Sequence, residues 1–295
     1  MYDPKDESQE FAIRHYPALR LSLPYVAEPL RHKLLALHGL LANIEDSVCR
    51  ASDAIVSRAR LAWWLEELQQ ARKNGGNHPI SKSLHSSGAL NQLPGELLGR
   101  LVVSAENRLD LAGIKNEASL KTLCMNLGMI QLEFERALQN DPDPEYSFAG
   151  QFAAMNGMVQ LLRESFRSVQ ASYSWIPLSL CAQFELNRQS LSANPGSRES
   201  SALFFSLAEL GLSWLPGSGA MDSIVNEIPK PWGARNMHWV IMTNLHSRQL
   251  QRIRKEAQRG GISTNNAGTF DKPGGFDAWS TWRLARHFNS LRIDL

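Results

Sequence analysis

Leu30, Leu34, Leu37, Leu41, Ile44 and Val48 recur at alternating spacings of four and three residues, a pattern that leaves this segment few ways to fold. It puts all six on one stripe of an α-helix, and a stripe of branched aliphatic side chains must be buried against other helices. Leu120, Leu123, Leu127, Ile130, Phe134 and Ala137 repeat that seam, so a second long helix is expected to pack against the first at a shallow angle. Met155, Val159, Leu162 and Phe166 form a further stripe. Between the first two seams a helix is predicted to start near Ser52 or Asp53, both good N-caps, and to run through the stretch RLAWWLEEL at residues 60–68. Its adjacent tryptophans, Trp63 and Trp64, point to different faces, so one enters the core and the other closes on a neighbour or a cavity.

The punctuation between these segments is helical too. Residues 8–21 read as a short helix ended by Pro24, and Gly75-Gly76-Asn77-His78-Pro79 stops the tryptophan helix ahead of a short helix from Ser81. Pro94 opens the next helix, and Asp141-Pro142-Asp143-Pro144 is a firm stop. Residues 187–201, 216–219 and 229–233 read as loops, residues 237–259 as a last long helix, and residues 260–275 as a linker or mobile loop. A terminal helix over residues 276–288 carries Trp279 and Trp282 and is expected to close the bundle. With no convincing strand and no internal repeat, the fold class is all-α, and residues 1–295 read as one domain.

An apolar fraction of 43% and a charged fraction of 20% are those of an ordinary globular chain. A net charge of +2 is too mild for a nucleic-acid footprint. Cys49, Cys124 and Cys181 are odd in number and lack metal-ligand spacing, so neither a disulfide framework nor a zinc site is indicated. The polar, acidic start MYDPKDESQE is unlike a secretory or transit peptide, and no apolar run reaches the ~18 residues of a membrane span. The expected setting is cytoplasmic, with peripheral contact at a membrane surface left open.

A helix reading ALxxLxxxIEDSV at residues 36–48, followed by RLAWWxEEL at 60–68 and by His78-Pro79-Ile80, resembles the squalene/phytoene synthase family. Pro24 and Arg31 match the entry to the family's first helix, and the resemblance extends over residues 30–186, with only helix pattern beyond. It implies an isoprenoid-synthase-like bundle around a central cavity. Active members join two isoprenyl diphosphates head to head, with two aspartate-rich motifs holding Mg²⁺ against the diphosphates.

Both motifs are eroded in this chain. The first falls on Glu45, Asp46, Ser47, Val48 and Cys49, so its outer aspartates have become Glu45 and Cys49. Spacing of i, i+4 places that outer pair on one helix face, as shared metal binding requires, but a thiol is a poor substitute for the hard oxygen Mg²⁺ prefers. Asp46 points away from the pair and is set to bridge to Arg50. The second motif falls on Gln160-Leu161-Leu162-Arg163-Glu164, with its outer aspartates at Glu164 and Ser168 and a further family glutamate replaced by Arg167. The exit Trp175-Ile176-Pro177 is kept. Glu45, Asp46, Cys49, Gln160, Arg163, Glu164 and Ser168 are therefore the candidate substrate-binding residues, and Glu45 and Glu164 the candidate Mg²⁺ ligands. The pattern Leu161-Leu162-Arg163 without its aspartates is similar to a degenerate branch of the family that includes relatives of a mitochondrial complex I assembly factor.

These substitutions imply a family member that has lost condensation, needs no cofactor, and binds an isoprenoid, another lipid or a protein partner. The rival is an active Mg²⁺-dependent prenyl transferase that works with Glu45 and Glu164. A third alternative is a helical scaffold whose cavity is filled. No GxSxG, P-loop or HExxH motif suggests other chemistry. His38, inside the first helix, reads as a partly buried histidine ahead of a cavity-lining one. The basic run RQLQRIRKEAQR at residues 248–259 reads as a solvated face ahead of a surface for anionic lipid or an acidic partner.

Overall fold

The computed structural model describes residues 7–51, 53–110, 113–140, 147–167, 173–194, 196–216, 224–260 and 273–288. The first seam becomes α3, Glu28–Cys49, with Pro29 in its opening turn where a missing N–H costs nothing. Ahead of it the expected single helix is split into α1, Glu7–His15, and α2, Leu19–Ser22, followed by a 3₁₀ turn at Leu23–Tyr25. Pro17 accounts for the break, because it has no N–H to continue the ladder. The tryptophan helix is α4, Ala54–Asn74. Asp53 caps its start, accepting the Val56 N–H at 2.9 Å, and Gly75 ends it at φ +90°. The two tryptophans divide as their adjacency requires: Trp64 is 4% exposed and Trp63 44%.

Short helices α5, Pro79–Ser86, and α6, Ala89–Gln92, lead to α7, Gly95–Leu109. The turn into α5 is fixed by buried Glu67, which accepts the N–H groups of Asn77 at 2.6 Å and His78 at 2.7 Å together with the Ser81 hydroxyl. The second seam is α8, Glu117–Gln139, capped by Asn116 and ended by Asn140 in the left-handed region. The stop expected at residues 141–144 lies outside the described residues. The third stripe is α9, Ser147–Arg167.

The closest approach of α8 is to α9, tighter than the expected pairing with α3, with which it also makes contact. Small residues set that approach. A Cβ on Gly157 would lie 2.0 Å from the Cys124 carbonyl oxygen, and one on Gly128 2.1 Å from that of Ala153. The apolar core forms two clusters, and α8 belongs to both, giving Leu120, Cys124 and Leu127 to one and Ile130, Phe134 and Leu138 to the other.

Several stretches read as loops turn out helical. Residues 187–201 hold α11, Arg188–Ala193, and the start of α12, Arg198–Ser213, after α10 at Leu178–Gln183. Their Asn and Ser residues are caps: Asn187 and Ser190 bond reciprocally, and Ser197 accepts the Ser200 N–H. Pro229 precedes α13, Lys230–Arg235, for the same reason that prolines suit helix starts. The last long helix is α14, Met237–Gln258, which packs along α12 and α9. The linker expected at 260–275 falls on residues 261–272, outside the described residues. In α15, Gly275–His287, the buried face is Asp277, Ser280, Thr281, Leu284 and Ala285, while Trp279 and Trp282 are 48% and 40% exposed. The helix closes on α14 and α2 as expected, through this mixed face rather than through its tryptophans.

That face explains the basic run. Arg252 reaches Asp277 at 2.7 Å and Arg248 reaches Ser280 at 3.0 Å, so two of its cations dock α15, while Arg254 pairs with Glu209 of α12 at 2.7 Å. Among the described residues the only strand-like pairing is an isolated bridge between Ile114 and Pro177, and no helix is long and apolar enough to cross a membrane.

Candidate functional site

The two eroded motifs lie on α3 and α9, which pack side by side with their acids turned inward. Glu45 is buried, and both of its oxygens are engaged. Arg163 Nη2 donates to Oε1 at 2.9 Å and to Oε2 at 3.2 Å, the Tyr16 hydroxyl donates to Oε1, and His15 Nε2 lies 3.1 Å from Oε2. The Arg163 guanidinium also sits over the Tyr16 ring, 4.4 Å from its centroid. Burial works against the Glu45 charge, yet Arg163, His15 and Tyr16 outweigh it and hold the carboxyl well below the usual carboxylate range.

Glu164 is neutralised in the same way by a residue the motif reading did not include. Arg108 of α7, itself buried, donates to Glu164 Oε1, and Gln160 Nε2 donates to the same oxygen at 2.9 Å. Burial opposes the Arg108 charge, but Glu164 and its neighbours more than offset that and raise its pKa. Cys49 ends α3, and burial together with Glu164 pushes its thiol up, so it stays protonated. Asp46 sits at the edge of this cluster, 3.3 Å from Arg50, the bridge its spacing predicts, and 3.8 Å from His15 Nδ1. Ser168 lies outside the described residues, as does the side chain of Arg167.

Among the described residues, the space that both motifs line is small. A cavity of about 30 Å³ is lined by Tyr16, Ile44, Glu45, Ala105, Arg108 and Gln160 among others. That volume holds a water molecule or two, roughly a tenth of the smallest usual ligand pocket. The residues present do not fit a Mg²⁺-diphosphate site: the two remaining carboxylates are held by guanidinium groups, the third outer position is a protonated thiol, and the cavity has no room for a diphosphate. The geometry does suit a locked electrostatic cluster tying α1, α3, α7 and α9 together.

Behind Tyr16 lies a second polar group that sequence reasoning missed. His38 is fully buried, more deeply than the partly buried histidine expected, with its ring 5.2 Å from those of Tyr16 and His238. Burial pushes its pKa well below the ordinary histidine value. His238 Nδ1 lies 3.0 Å from Glu135 Oε2, and His38 Nε2 lies 3.9 Å from Glu135 Oε1. Nearby, His246 Nδ1 is 2.9 Å from Asn156 Oδ1, Asn156 donates to Thr243 at 2.9 Å, and burial pushes His246 down to about 3. No local spacing links these residues. The only sequence signal is that Glu135 follows Phe134 on the buried seam of its helix, where a lone acid needs a partner.

Residues 14–258 match the family model of squalene/phytoene synthase. No curated protein sequence matches the chain. Among solved structures, the crystal structure of squalene synthase HpnC from Alicyclobacillus acidocaldarius superposes with a TM-score of 0.59 at 16% identity, over 85% of this chain and 93% of that one. The fold is thus shared, both motifs fall within the matched region, and the match spans well over half the sequence: the chain belongs to the squalene/phytoene synthase family.

Proposed function

We propose that this protein is a non-catalytic member of its family that works by binding a partner rather than by condensing isoprenyl diphosphates. One observation carries the reading: Glu45 and Glu164, the acids left at the outer motif positions, are each held by a buried arginine, Arg163 and Arg108, around a cavity of about 30 Å³. Catalysis of diphosphate ionisation draws most of its rate from cations arranged on the leaving group, and here the acids that would hold those cations already have other partners. We further propose, from the eroded motifs and the retained Leu161-Leu162-Arg163, that the chain belongs with the degenerate branch that includes relatives of a mitochondrial complex I assembly factor. Motif positions closed by arginines favour a protein partner over an isoprenoid diphosphate. Exposed Ile55 and Trp63 along α4, and Phe276, Trp279 and Trp282 along α15, supply apolar surface suited to such contact.

The test is product formation. Purified protein is incubated with farnesyl or geranylgeranyl diphosphate and Mg²⁺, and the organic extract is read by mass spectrometry; no squalene or phytoene is expected. Multiple turnovers that vanish in Glu45→Gln or Glu164→Gln would establish the prenyl-transferase rival.

A further inference from the structure

Three long helices each contribute one metal-ligating side chain to a single point in the core: His38 from α3, Glu135 from α8 and His238 from α14. One ligand atom from each lies within 4.8 Å of the other two, and all three residues are at most 2% exposed. Both ring nitrogens of His38, Oε1 of Glu135 and Nε2 of His238 are buried without a hydrogen-bond partner. Orphaned atoms of this kind are rare in folded proteins, and a single ion would take up two of them, His38 Nε2 and Glu135 Oε1, at once. A buried carboxylate whose second oxygen has no donor is costly unless a cation neutralises it. Arg163, whose charge is felt at His38, is bonded to Glu45 and sits over the Tyr16 ring.

We propose that His38, Glu135 and His238 bind one divalent transition-metal ion of the zinc type. Two imidazoles and a carboxylate form a donor set for an ion of borderline softness, quite unlike the all-oxygen surroundings Mg²⁺ requires. Ligands at zinc distances in a tetrahedral shell stand roughly 3.3–3.5 Å apart. The 3.9 Å between His38 Nε2 and Glu135 Oε1 closes to this with a small side-chain shift, and one ligand atom from each of the three residues already lies within 4.8 Å of the other two. The fourth position falls to a small ligand such as water. Because the site is enclosed and its ligands come from α3, α8 and α14, its role is to fasten these helices. It is separate from the Glu45 and Glu164 positions, so it stands whether or not the protein condenses diphosphates.

The experiment uses the full-length parent without a histidine tag. Elemental analysis after purification is expected to find about one zinc-type ion per chain. After chelator treatment, added Zn²⁺ should restore the melting midpoint by several degrees while Mg²⁺ does not, and Co²⁺ should give ligand-field absorption in the visible. X-ray absorption on the zinc-loaded parent should show two imidazoles in the shell, a readout that needs no variant. Glu135→Gln and His238→Gln, checked for helicity, should weaken binding at least about tenfold. A parent that neither retains an ion nor responds to Zn²⁺ and Co²⁺ overturns the proposal. So does a shell without two imidazoles, or undiminished binding in both folded variants.

Discussion

Replacing Arg163 with Met keeps the aliphatic stem and removes the cation from a site where Glu45 is 5% and Arg163 6% exposed. Breaking a buried ion pair from one side costs about 3–5 kcal/mol, because the remaining charge is left without its partner. Loss of the guanidinium from the Tyr16 face adds about 0.5–2 kcal/mol. Tyr16 and His15 still bond Glu45, which pulls the expectation toward about 4 kcal/mol, a large share of the ~5–15 kcal/mol that holds a typical domain folded. Urea melts at neutral pH measure this directly. Glu45→Gln strands Arg163 in the same way, so the double variant should be destabilised by less than the two single costs summed, with a coupling of about 2–3 kcal/mol. The pH dependence has a definite sign. Glu45 titrates lower in the folded protein than in the unfolded chain, so its contribution is complete above the ordinary carboxylate pKa of ~4.3 and fades as pH falls toward the folded value. In Arg163→Met burial prevails and the folded value rises, so the gap between parent and variant should narrow as pH falls and Glu45 takes up a proton. A cost below about 1 kcal/mol, or strictly additive singles, would refute the view that a buried, mutually neutralised pair closes this site.

Trp64→Ala should cost about 3–5 kcal/mol and Trp63→Ala under about 1, since only the former ring is in the core; equal denaturant midpoints would show α4 to be rotated from its described face. Gly157→Ala should destabilise by several kcal/mol or yield insoluble protein, because its methyl would lie 2.0 Å from the Cys124 carbonyl oxygen on α8. A thermal melt matching that of the parent would contradict that helix contact. Cys49 should react with a disulfide reagent at neutral pH far more slowly than a free thiol, since burial and Glu164 both disfavour its thiolate.

The long helices were legible because their seams are regular: alternation of four and three over Leu30 to Val48 describes α3 without reference to anything else in the chain. Asp53 and Gly75 were equally plain as start and stop, since their chemistry is local. The cap-rich stretch at 187–201 misled for a physical reason. Asn and Ser favour turns and also begin helices, and only tertiary packing decides between them. In the site, the positions of Glu45 and Glu164 were readable from spacing, but what they do there was not. Arg108 lies 56 residues before Glu164, and Arg163 lies 118 after Glu45. The meeting of His38, Glu135 and His238 is likewise a product of how three helices pack.

The central claim is that the carboxylates of both motifs are already committed to arginines, and calorimetric titration of the parent with farnesyl diphosphate, with and without Mg²⁺, tests it most directly. No heat that depends on Mg²⁺ is expected. A saturable Mg²⁺-dependent isotherm near one diphosphate per chain, abolished by Glu45→Gln or Glu164→Gln, would contradict it.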